Sequence, residues 1–197
     1  MSRISDIVEK STVTSGRRKI SQRQAIDQWL LDMTLGLMHT DPEKTGEMIR
    51  SILNDIGLYT GCDRVYVYAF GHNARLLTLK HAYYKEDMPE KITTLSRLER
   101  EEFKWMIETI RQFRTIKIQT PADIPPQAKA PAYLMQKERS LSMLLQPIGH
   151  GTEVFGILGV DMVNKARVFS DDTIYILDRM ARILGGTIMQ AGSTERR

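Results

Sequence analysis

The residue types best suited to form a binding site lie on one apolar segment towards the end of the chain. Residues 154–163 read as a β-strand buried on both faces, and the side chains of a strand alternate between the two faces of a sheet. One face carries Phe155, Ile157, Gly159 and Asp161. The glycine leaves space and the aspartate sets a carboxylate in a mostly apolar wall, which is the composition expected of a small-molecule cavity. The other face is apolar and carries Val154, Leu158, Val160 and Met162.

Other side chains are candidates to complete this cavity, and each also has an ordinary structural interpretation. Tyr83, Trp105 and Tyr133 are aromatic residues able to roof it, although core packing is the more common role of aromatic side chains. Asp161 itself has the alternative role of a hydrogen-bonded polar residue at the end of a strand. The pattern therefore predicts one ligand site on one face of a sheet.

The residues that commonly carry catalysis do not form a recognisable catalytic group. Cys62 is the only cysteine, so the chain has no cysteine pair for a disulfide or for thiol–disulfide turnover. No histidine has a partner at the i, i+4 spacing that suits zinc on a helix. The four histidines are scattered: His39, His72, His81 and His150. The sequence therefore predicts a protein that binds a ligand and is not an enzyme.

Composition places the chain among ordinary globular proteins. Of its 197 residues, 42% are hydrophobic and 26% are charged. No apolar run approaches the ~20 residues that span a bilayer. The N-terminus also lacks the apolar core of a secretion signal. Together with the lone cysteine, these features predict a soluble cytoplasmic protein that does not associate with membranes.

The net charge of +4 comes from the N-terminal arm alone. Residues 1–24 carry six basic and two acidic side chains, so the rest of the chain is neutral. Because short polar termini are usually solvated, we expect residues 1–23 to form a flexible basic arm. Contact between this arm and nucleic acid is the less favoured alternative.

The elements that must position the site follow from hydrophobic periodicity. Residues 24–39 and 42–60 have the period of amphipathic helices, and residues 64–70 and 76–83 alternate as a β-hairpin. Later segments predict a helix that begins at Ser96, strands over 115–118, 142–148 and 154–163, and a last helix capped by Ser170. This order indicates an α+β fold with a mostly antiparallel sheet of five to six strands.

The element order and four local segments together resemble the GAF family of sensory domains. The segments are Gly61-Cys-Asp-Arg-Val-Tyr-Val-Tyr-Ala-Phe70, Ser140-Leu-Ser-Met-Leu-Leu-Gln-Pro-Ile148, Glu153-Val-Phe-Gly-Ile-Leu-Gly-Val-Asp161 and the Phe169-Ser-Asp-Asp cap of the last helix. The resemblance covers residues 43–190, and it implies a GAF domain over residues 41–191. It also implies N- and C-terminal helices on one face of the sheet, with a short helix and loops over a ligand cavity on the other.

The resemblance implies a class of ligand without naming one, because GAF cavities take cyclic nucleotides, tetrapyrroles, haem or small metabolites. Cyclic-nucleotide binding stays open, since Asn164-Lys165 and Phe169 stand in the order of the nucleotide motif although its Asp-Glu pair is missing. Covalent bilin attachment is disfavoured because the Cys-His attachment pair is absent. Asp123, in Asp123-Ile-Pro, resembles the stretch before the chromophore-contacting helix of phytochromes. It is a candidate ligand contact, with capping of local backbone as the alternative.

The apolar stripe of the helix at residues 24–40 is too wide to be left in water, and in related sensors such helices mediate signalling and dimerisation. We therefore expect a homodimer in which ligand binding changes the pose of the first and last helices. Residues 192–197 resemble the beginning of a linker to a C-terminal output domain, as in bacterial histidine kinases or diguanylate cyclases. The expected function is small-molecule sensing in signal transduction. The alternatives are a ligand-free dimerisation module, a cyclic-nucleotide-binding domain and a DNA-associated regulator.

Overall fold

The computed structural model describes residues 2–7, 22–70, 76–86, 88, 97–99, 103–126, 128, 132, 135–136 and 138–194. The helices and strands, named in chain order, are α1 (Gln22–His39), α2 (Thr45–Thr60), β1 (Arg64–Phe70), β2 (Leu76–Tyr84), β3 (Arg97–Glu99), α3 (Lys104–Arg111), β4 (Ile116–Ile118), β5 (Ser142–His150), β6 (Glu153–Met162) and α4 (Asp171–Thr194). Short 3₁₀ turns occur at Pro42–Lys44 and Pro121–Asp123. Within these residues, no helix has both the length and the apolar character needed to cross a membrane.

A six-stranded antiparallel sheet, with the strand order β3-β2-β1-β6-β5-β4, organises the described part of the chain. β1 and β2 form one hairpin and β5 and β6 form the other, and the two hairpins join where β1 pairs with β6. This pairing sets Arg64 opposite Asp161 and Tyr66 opposite Gly159. The predicted α+β class with an antiparallel sheet of five to six strands is confirmed.

Helices α1, α2 and α4 cover one face of the sheet, as predicted for the terminal helices. Alternate residues of the strands face them, and the core they enclose, here called the helix-side core, includes Val65, Val67, Leu158 and Val160. Trp29 of α1 is fully buried in this core. Helix α1 is therefore packed into the same core as α2 and α4.

Helix α3 and the segments after it cover the other face. The loop-side core lies here, and strand residues Tyr66, Tyr68 and Ile157 pack in it against α3. The buried residues of α3 are Met106, Ile107, Thr109 and Ile110. Their three- and four-residue spacing is the pattern that predicted a helix on this segment. The predicted arrangement of a short helix opposite the terminal helices is thus confirmed.

The helix predicted to begin at Ser96 begins later than expected. Arg97–Glu99 form the edge strand β3, which pairs with Leu76, Leu77 and Thr78 of β2, and the helix begins at Lys104. The open edge of β2 supplies hydrogen-bond partners for the backbone of this segment, so tertiary context overrides local periodicity. The predicted turn at residues 71–74 lies outside the described residues.

Residues 2–7, at the beginning of the predicted basic arm, are packed against the fold, whereas residues 8–21 of that arm lie outside the described residues. Residues 3–7 form a helical turn, and the side chain of Ile4 is completely buried in the helix-side core. The backbone N–H of Arg3 donates to Asp55 Oδ1 at 3.4 Å, and Arg3 Nε lies 3.7 Å from Asp55 Oδ2. One buried isoleucine and a carboxylate partner therefore anchor this end, a contact that net charge does not reveal.

Candidate ligand-binding site

Asp161 of β6 lies at the centre of a polar group buried beside the loop-side core. Its side chain is fully buried. Oδ1 accepts a hydrogen bond from the hydroxyl of Tyr66 at 2.9 Å, and Oδ2 accepts one from Ser140 Oγ at 2.9 Å. Burial raises the pKa of Asp161 from 3.8 to about 6, and these two hydrogen bonds and Arg64 oppose the increase. The carboxyl group therefore titrates near pH 6 in the folded chain.

Arg64 of β1 faces Asp161 and is itself almost completely buried. Its Nη1 atom lies 3.8 Å from Asp161 Oδ2 and 3.8 Å from Glu138 Oε2, which are ion-pair distances too long for hydrogen bonds. Across the residues that the structure describes, Nε and Nη1 of Arg64 have no hydrogen-bond partner. A buried guanidinium with unpartnered N–H groups is costly, because these groups have lost water without gaining an acceptor.

Tyr68, two positions beyond Tyr66 on the same face of β1, adds another unpartnered donor. Its hydroxyl is buried and makes no hydrogen bond to any described residue. The rings of Tyr66 and Tyr68 meet edge to face, with centroids 5.4 Å apart. Burial raises the pKa of both tyrosines, so both hydroxyls keep their protons and act as donors at neutral pH.

These residues form one unit, here called the buried polar cluster. Its members share burial and a position on the loop side of the sheet: Arg64, Tyr66, Tyr68, Glu138, Ser140 and Asp161. Alternation along β1 places the first three on one face, and the β1–β6 register brings Asp161 opposite Arg64. The sheet thus determines four of the six positions.

The turn before β5 positions the other two members. The backbone N–H of Ser140 donates to Met135 O at 2.8 Å, and that of Leu141 donates to Met162 O at 2.7 Å. Arg139 between Glu138 and Ser140 has a φ of 55°, a left-handed conformation that non-glycine residues adopt at a cost. This turn holds both side chains against the end of β6.

A groove of about 770 Å³ adjoins the buried polar cluster. Its lining is mostly apolar and includes Ile124, Pro125, Ala132, Met135 and Leu141, together with the polar Ser140. Ser140 therefore lines the groove and also hydrogen-bonds to Asp161. The groove has the size and composition of sites that take small molecules, and Ser140 is the member of the buried polar cluster that lines it.

The sequence correctly placed Asp161 and Ile157 on one face of the sheet, but the space attributed to Gly159 is not empty. A Cβ atom at Gly159 would collide with the ring of Tyr66, which lies across the glycine. The glycine serves close packing of a tyrosine that bonds to Asp161, and the expectation of free space there is wrong. The sequence shows that residue 159 has no side chain, but it does not show which neighbouring side chain occupies that space.

The alternation predicted for residues 154–163 fails at one end. The register of β5 and β6 shifts between Ile148 and Gly149, so that Gly156 pairs with Ile148 while Val154 pairs with Gly149. Across this bulge Val154 packs against the loop-side core, the side opposite to that predicted. Phe155 lies at the bulge and is half-buried, away from Asp161 at the other end of the strand.

The three aromatic candidates separate in the structure. Trp105 of α3 packs against the loop-side core, on the same face as Asp161. Tyr83 packs on the opposite face against α2, where a Cβ at Gly57 would collide with its ring. Its assignment as part of the roof is therefore wrong, because the β1–β2 register points Tyr83 with Val65 towards the helices. Tyr133 lies outside the described residues.

Asp123 is exposed and caps the backbone of its own loop. Its Oδ2 accepts hydrogen bonds from the backbone N–H groups of Gln119 at 2.8 Å and Thr120 at 2.9 Å. These two bonds hold the pKa of Asp123 below its ordinary value. The capping interpretation explains this residue, and its carboxylate does not join the buried polar cluster.

The residues that resemble a nucleotide motif serve structural contacts. The backbone N–H and the side-chain Nδ2 of Asn164 donate to the buried carboxylate of Asp63 at 2.9 Å and 3.3 Å. Phe169 is buried in the helix-side core, on the face opposite Asp161. Neither residue reaches the buried polar cluster.

Burial also raises the pKa of the Cys62 thiol to about 11, so this cysteine is unreactive near neutral pH.

Five members of the buried polar cluster were not predicted from the sequence: Arg64, Tyr66, Tyr68, Glu138 and Ser140. A usable signal was present, because Arg64, Tyr66 and Tyr68 alternate on one face of a strand otherwise rich in valine. A charged residue at the start of such a strand is ordinarily solvated, so nothing local indicated its burial. Within the described ranges, no group of His, Cys, Asp or Glu side chains is arranged to hold a metal ion.

Solved structures resemble the chain, although no protein-family model and no curated protein matches it. The phycocyanobilin-bound GAF domain from a cyanobacterial phytochrome aligns with a TM-score of 0.73 at 16% identity, over 87% of this chain and 98% of that one. The GAF domain from Acinetobacter phosphoenolpyruvate-protein phosphotransferase aligns with a TM-score of 0.67 at 17% identity, over 88% and 97% of the two chains. The GAF domain region of a putative membrane protein from Geobacter sulfurreducens PCA aligns at 0.58 and 18%, over 82% and 98%. The chain therefore has the GAF fold that its segments predicted.

Proposed function

We propose that this chain is a sensory GAF domain that binds a small molecule at the buried polar cluster and the adjoining groove. The observation that carries the proposal is the set of buried donors without acceptors, Nε and Nη1 of Arg64 and the hydroxyl of Tyr68, counted over the described part of the chain. They lie on the face that the GAF fold leaves to a short helix and loops. Among the solved structures of this fold, one holds phycocyanobilin.

The free-energy cost of the unpaired buried donors favours a ligand-binding role over a purely structural one. Most buried polar groups in proteins are hydrogen-bonded, and an unpaired one costs about 1–3 kcal/mol. The site contains several such atoms beside a groove with room for a ligand. A ligand that supplies acceptors recovers this cost on binding, whereas a module that only dimerises gains nothing from it.

A thermal-shift screen of the full chain tests this proposal. The compounds are cyclic nucleotides, tetrapyrroles, haem and common metabolites, and a ligand that binds only the folded state raises the melting temperature in a saturable manner. The variant Ala132→Phe fills the groove from an exposed lining position, and we expect it to abolish the shift. Ala122→Phe is the matched control, since Ala122 is also exposed and does not line the groove. A screen without any shift would contradict the proposal and favour a ligand-free dimerisation module.

The second part of the proposal is that ligand binding is relayed to the terminal helices of a homodimer. Strand β6 carries Asp161 on one face and Leu158 and Val160 under the helices on the other, so a change at the site acts on the floor of the helix-side core. Helices α1 and α4 are tied together, because the Tyr175 hydroxyl donates to Asp27 at 2.7 Å. A shift of α4 would therefore move α1.

Helix α1 also offers a surface for the second subunit. Opposite its buried face, Leu31, Leu35 and Met38 are 53%, 46% and 65% exposed and lie at i, i+4 and i+7. We expect Leu35→Lys to dissociate the dimer in sedimentation velocity while the far-ultraviolet circular dichroism spectrum of the folded chain stays unchanged. Leu58→Lys on α2 is the matched control, since Leu58 is 45% exposed. Equal sedimentation of both variants and the wild type would remove this helix face from the proposal.

The proposal also covers the cellular location of the chain and its place in a longer protein. We place the chain in the cytoplasm as a non-catalytic sensory part of a larger regulator, in which an output domain carries the activity. In support, one solved structure of this fold is the GAF domain of a phosphoenolpyruvate-protein phosphotransferase, and Cys62, the only cysteine, is buried. Assay of a longer protein containing this chain, with and without ligand, tests the regulatory role.

A further inference from the structure

The charges around Arg64 restrict what the site accepts. Two carboxylates, Asp161 and Glu138, lie 3.8 Å from the same guanidinium nitrogen, so negative groups outnumber the positive one by two to one. All three side chains are buried, and buried charges are poorly screened by solvent. A ligand that brought another negative charge to Arg64 would meet two carboxylates that already neutralise it.

The unpartnered atoms of the cluster are donors. Arg64 Nε and Nη1 carry N–H groups that no described residue accepts, and Arg64 has no acceptor of its own. The Tyr68 hydroxyl lacks a partner as well, and its raised pKa keeps the proton in place. By contrast, both oxygens of Asp161 already accept a hydrogen bond. What the site lacks is therefore an acceptor.

The groove adds a requirement for apolar surface. Ile124, Pro125, Met135 and Leu141 form its walls, and Ser140 marks the point where it meets the polar cluster. A ligand that lies along the groove with its polar end at Ser140 is one hydrogen bond away from Asp161 Oδ2, and Arg64 Nη1 lies 3.8 Å from that oxygen. The body of the ligand then replaces water on apolar side chains.

We propose that the group recognised at Arg64 and Tyr68 is a neutral hydrogen-bond acceptor, an amide or lactam carbonyl, on a molecule whose apolar body fills the groove. Anionic groups such as carboxylate or phosphate are excluded from this position by Asp161 and Glu138. This inference rests on the proposed ligand-binding function and adds the chemical class of the ligand.

Three probes of equal size and shape test the class. Benzamide offers a neutral carbonyl, benzoate an anionic acceptor, and benzamidinium a cation without any acceptor. Each is titrated to about 10 mM, since molecules this small bind weakly, and the full chain is followed by two-dimensional amide NMR at pH 7.5. We expect benzamide to bind at least tenfold more tightly than benzoate and than benzamidinium, with shifts around Ser140 and Leu141.

Two variants, Tyr68→Phe and Ala132→Phe, test whether benzamide binds at the buried polar cluster and in the groove, and each has a matched control. Tyr68→Phe removes a donor that has no partner in the described structure, so we expect at least threefold weaker benzamide binding and a melting temperature that does not fall. Tyr66→Phe is the matched control, because it removes the hydroxyl that bonds to Asp161 and should lower the melting temperature. Ala132→Phe, which fills the groove, should abolish benzamide binding, and Ala122→Phe should not.

The outcomes separate the two proposals. Benzoate binding as tightly as benzamide, or benzamide binding that survives both Tyr68→Phe and Ala132→Phe, overturns the ligand class. Absence of binding by every probe also overturns it, and indicates that ordered water satisfies the donors. If a compound of the thermal-shift screen still binds in the groove, the sensory function stands without this class. If none does, both proposals fall.

Discussion

The two faces of the sheet bury polar groups in different ways. On the helix side, the buried carboxylate of Asp55 has partners, since Trp29 Nε1 donates to it at 3.3 Å and Arg3 contacts it from the N-terminal turn. On the loop side, Asp161 is equally satisfied, but the neighbouring Arg64 and Tyr68 keep donors that no described residue accepts. The helix side also has one such atom, His81 Nδ1, whereas on the loop side three unpartnered donor atoms belong to one cluster around Asp161.

This difference separates stability from recognition within one small domain. A face with apolar packing and paired polar groups gains free energy from folding alone. A face that keeps unpaired donors gives up part of that free energy in the absence of ligand and recovers it when an acceptor binds. Substitutions on the two faces should therefore have different effects on the free energy of unfolding, and four pairs of variants test this comparison.

The largest effect is expected from truncating the helix-side tryptophan. Trp29→Ala removes a fully buried indole and leaves Asp55 without its Nε1 donor, so we expect a loss of about 4 kcal/mol of unfolding free energy. Urea denaturation followed by circular dichroism measures it. Trp105→Ala on the loop side, where the indole is only partly buried, should cost less than half as much. Equal losses would contradict the comparison.

The next effect is the pH dependence of Asp161. Its pKa rises from 3.8 to about 6 on folding, so the folded chain favours the protonated form. Well below pH 3.8 both states are protonated and there is no cost. Between about pH 4 and pH 6 the unfolded chain releases the proton first and stability falls, and above pH 6 the full cost of about 3 kcal/mol remains.

Asp161→Asn removes this titration. The unfolding free energy of the variant minus that of the wild type should therefore increase by about 3 kcal/mol between pH 4 and pH 7, as measured by urea denaturation at each pH. Asp123→Asn is the control of opposite sign, because the pKa of exposed Asp123 is lowered in the folded chain. There the wild type should gain stability over the variant as the pH rises. Parallel profiles for the two variants would refute the assignment.

A smaller effect tests the packing of Tyr66 on Gly159. Gly159→Ala places a methyl group against the Tyr66 ring, displaces its hydroxyl from Asp161 and should cost about 2 kcal/mol. In α4, a Cβ at Gly186 would meet nothing within 4 Å, so Gly186→Ala should stabilise the helix by up to about 1 kcal/mol. Thermal denaturation of both variants gives the two signs. A neutral Gly159→Ala would mean that the glycine does leave space.

The smallest effect on stability is expected for Tyr68→Phe. Because the buried hydroxyl has no hydrogen-bond partner in the described structure, its removal should raise the unfolding free energy by about 1 kcal/mol. Tyr66→Phe, which leaves Asp161 short of one donor, should cost about 1.5 kcal/mol in the same urea titration. Equal costs would show that Tyr68 is satisfied in solution, and the contrast between the two faces would then disappear.

Much of the fold could be read from periodicity, and the reasons for the failures are physical. The strand with Ile157 and Asp161 and the helix with Trp29 have regular patterns, and both were predicted with their buried faces. The helix predicted over Arg97–Glu99 is wrong because the pairing of this strand depends on the edge of β2, which is distant in the sequence. The face predicted for Val154 is wrong because a bulge depends on two paired strands, and the sequence of one strand does not specify it.

The candidate site was predictable only in part. Asp161 was recognised because a carboxylate in an apolar strand is unusual, and its burial followed from the strand. Tyr83 was assigned to the wrong face because nothing local fixes the register of the hairpin that contains it. Arg64 was not recognised at all, since its significance depends on Glu138 and Asp161, which the fold brings to it from distant parts of the chain.

The amino-acid sequence by itself determined the α+β class, the buried faces of regular elements such as α3, and the position of one buried carboxylate. These properties are local, because they follow from the periods of helices and strands and from the solvation of side chains. Only the tertiary structure decided which side chains surround Asp161, that Tyr66 fills the space beside Gly159, and that donors of Arg64 and Tyr68 lack acceptors. Those properties depend on register, bulges and turns, where small displacements of the backbone change which polar atoms meet.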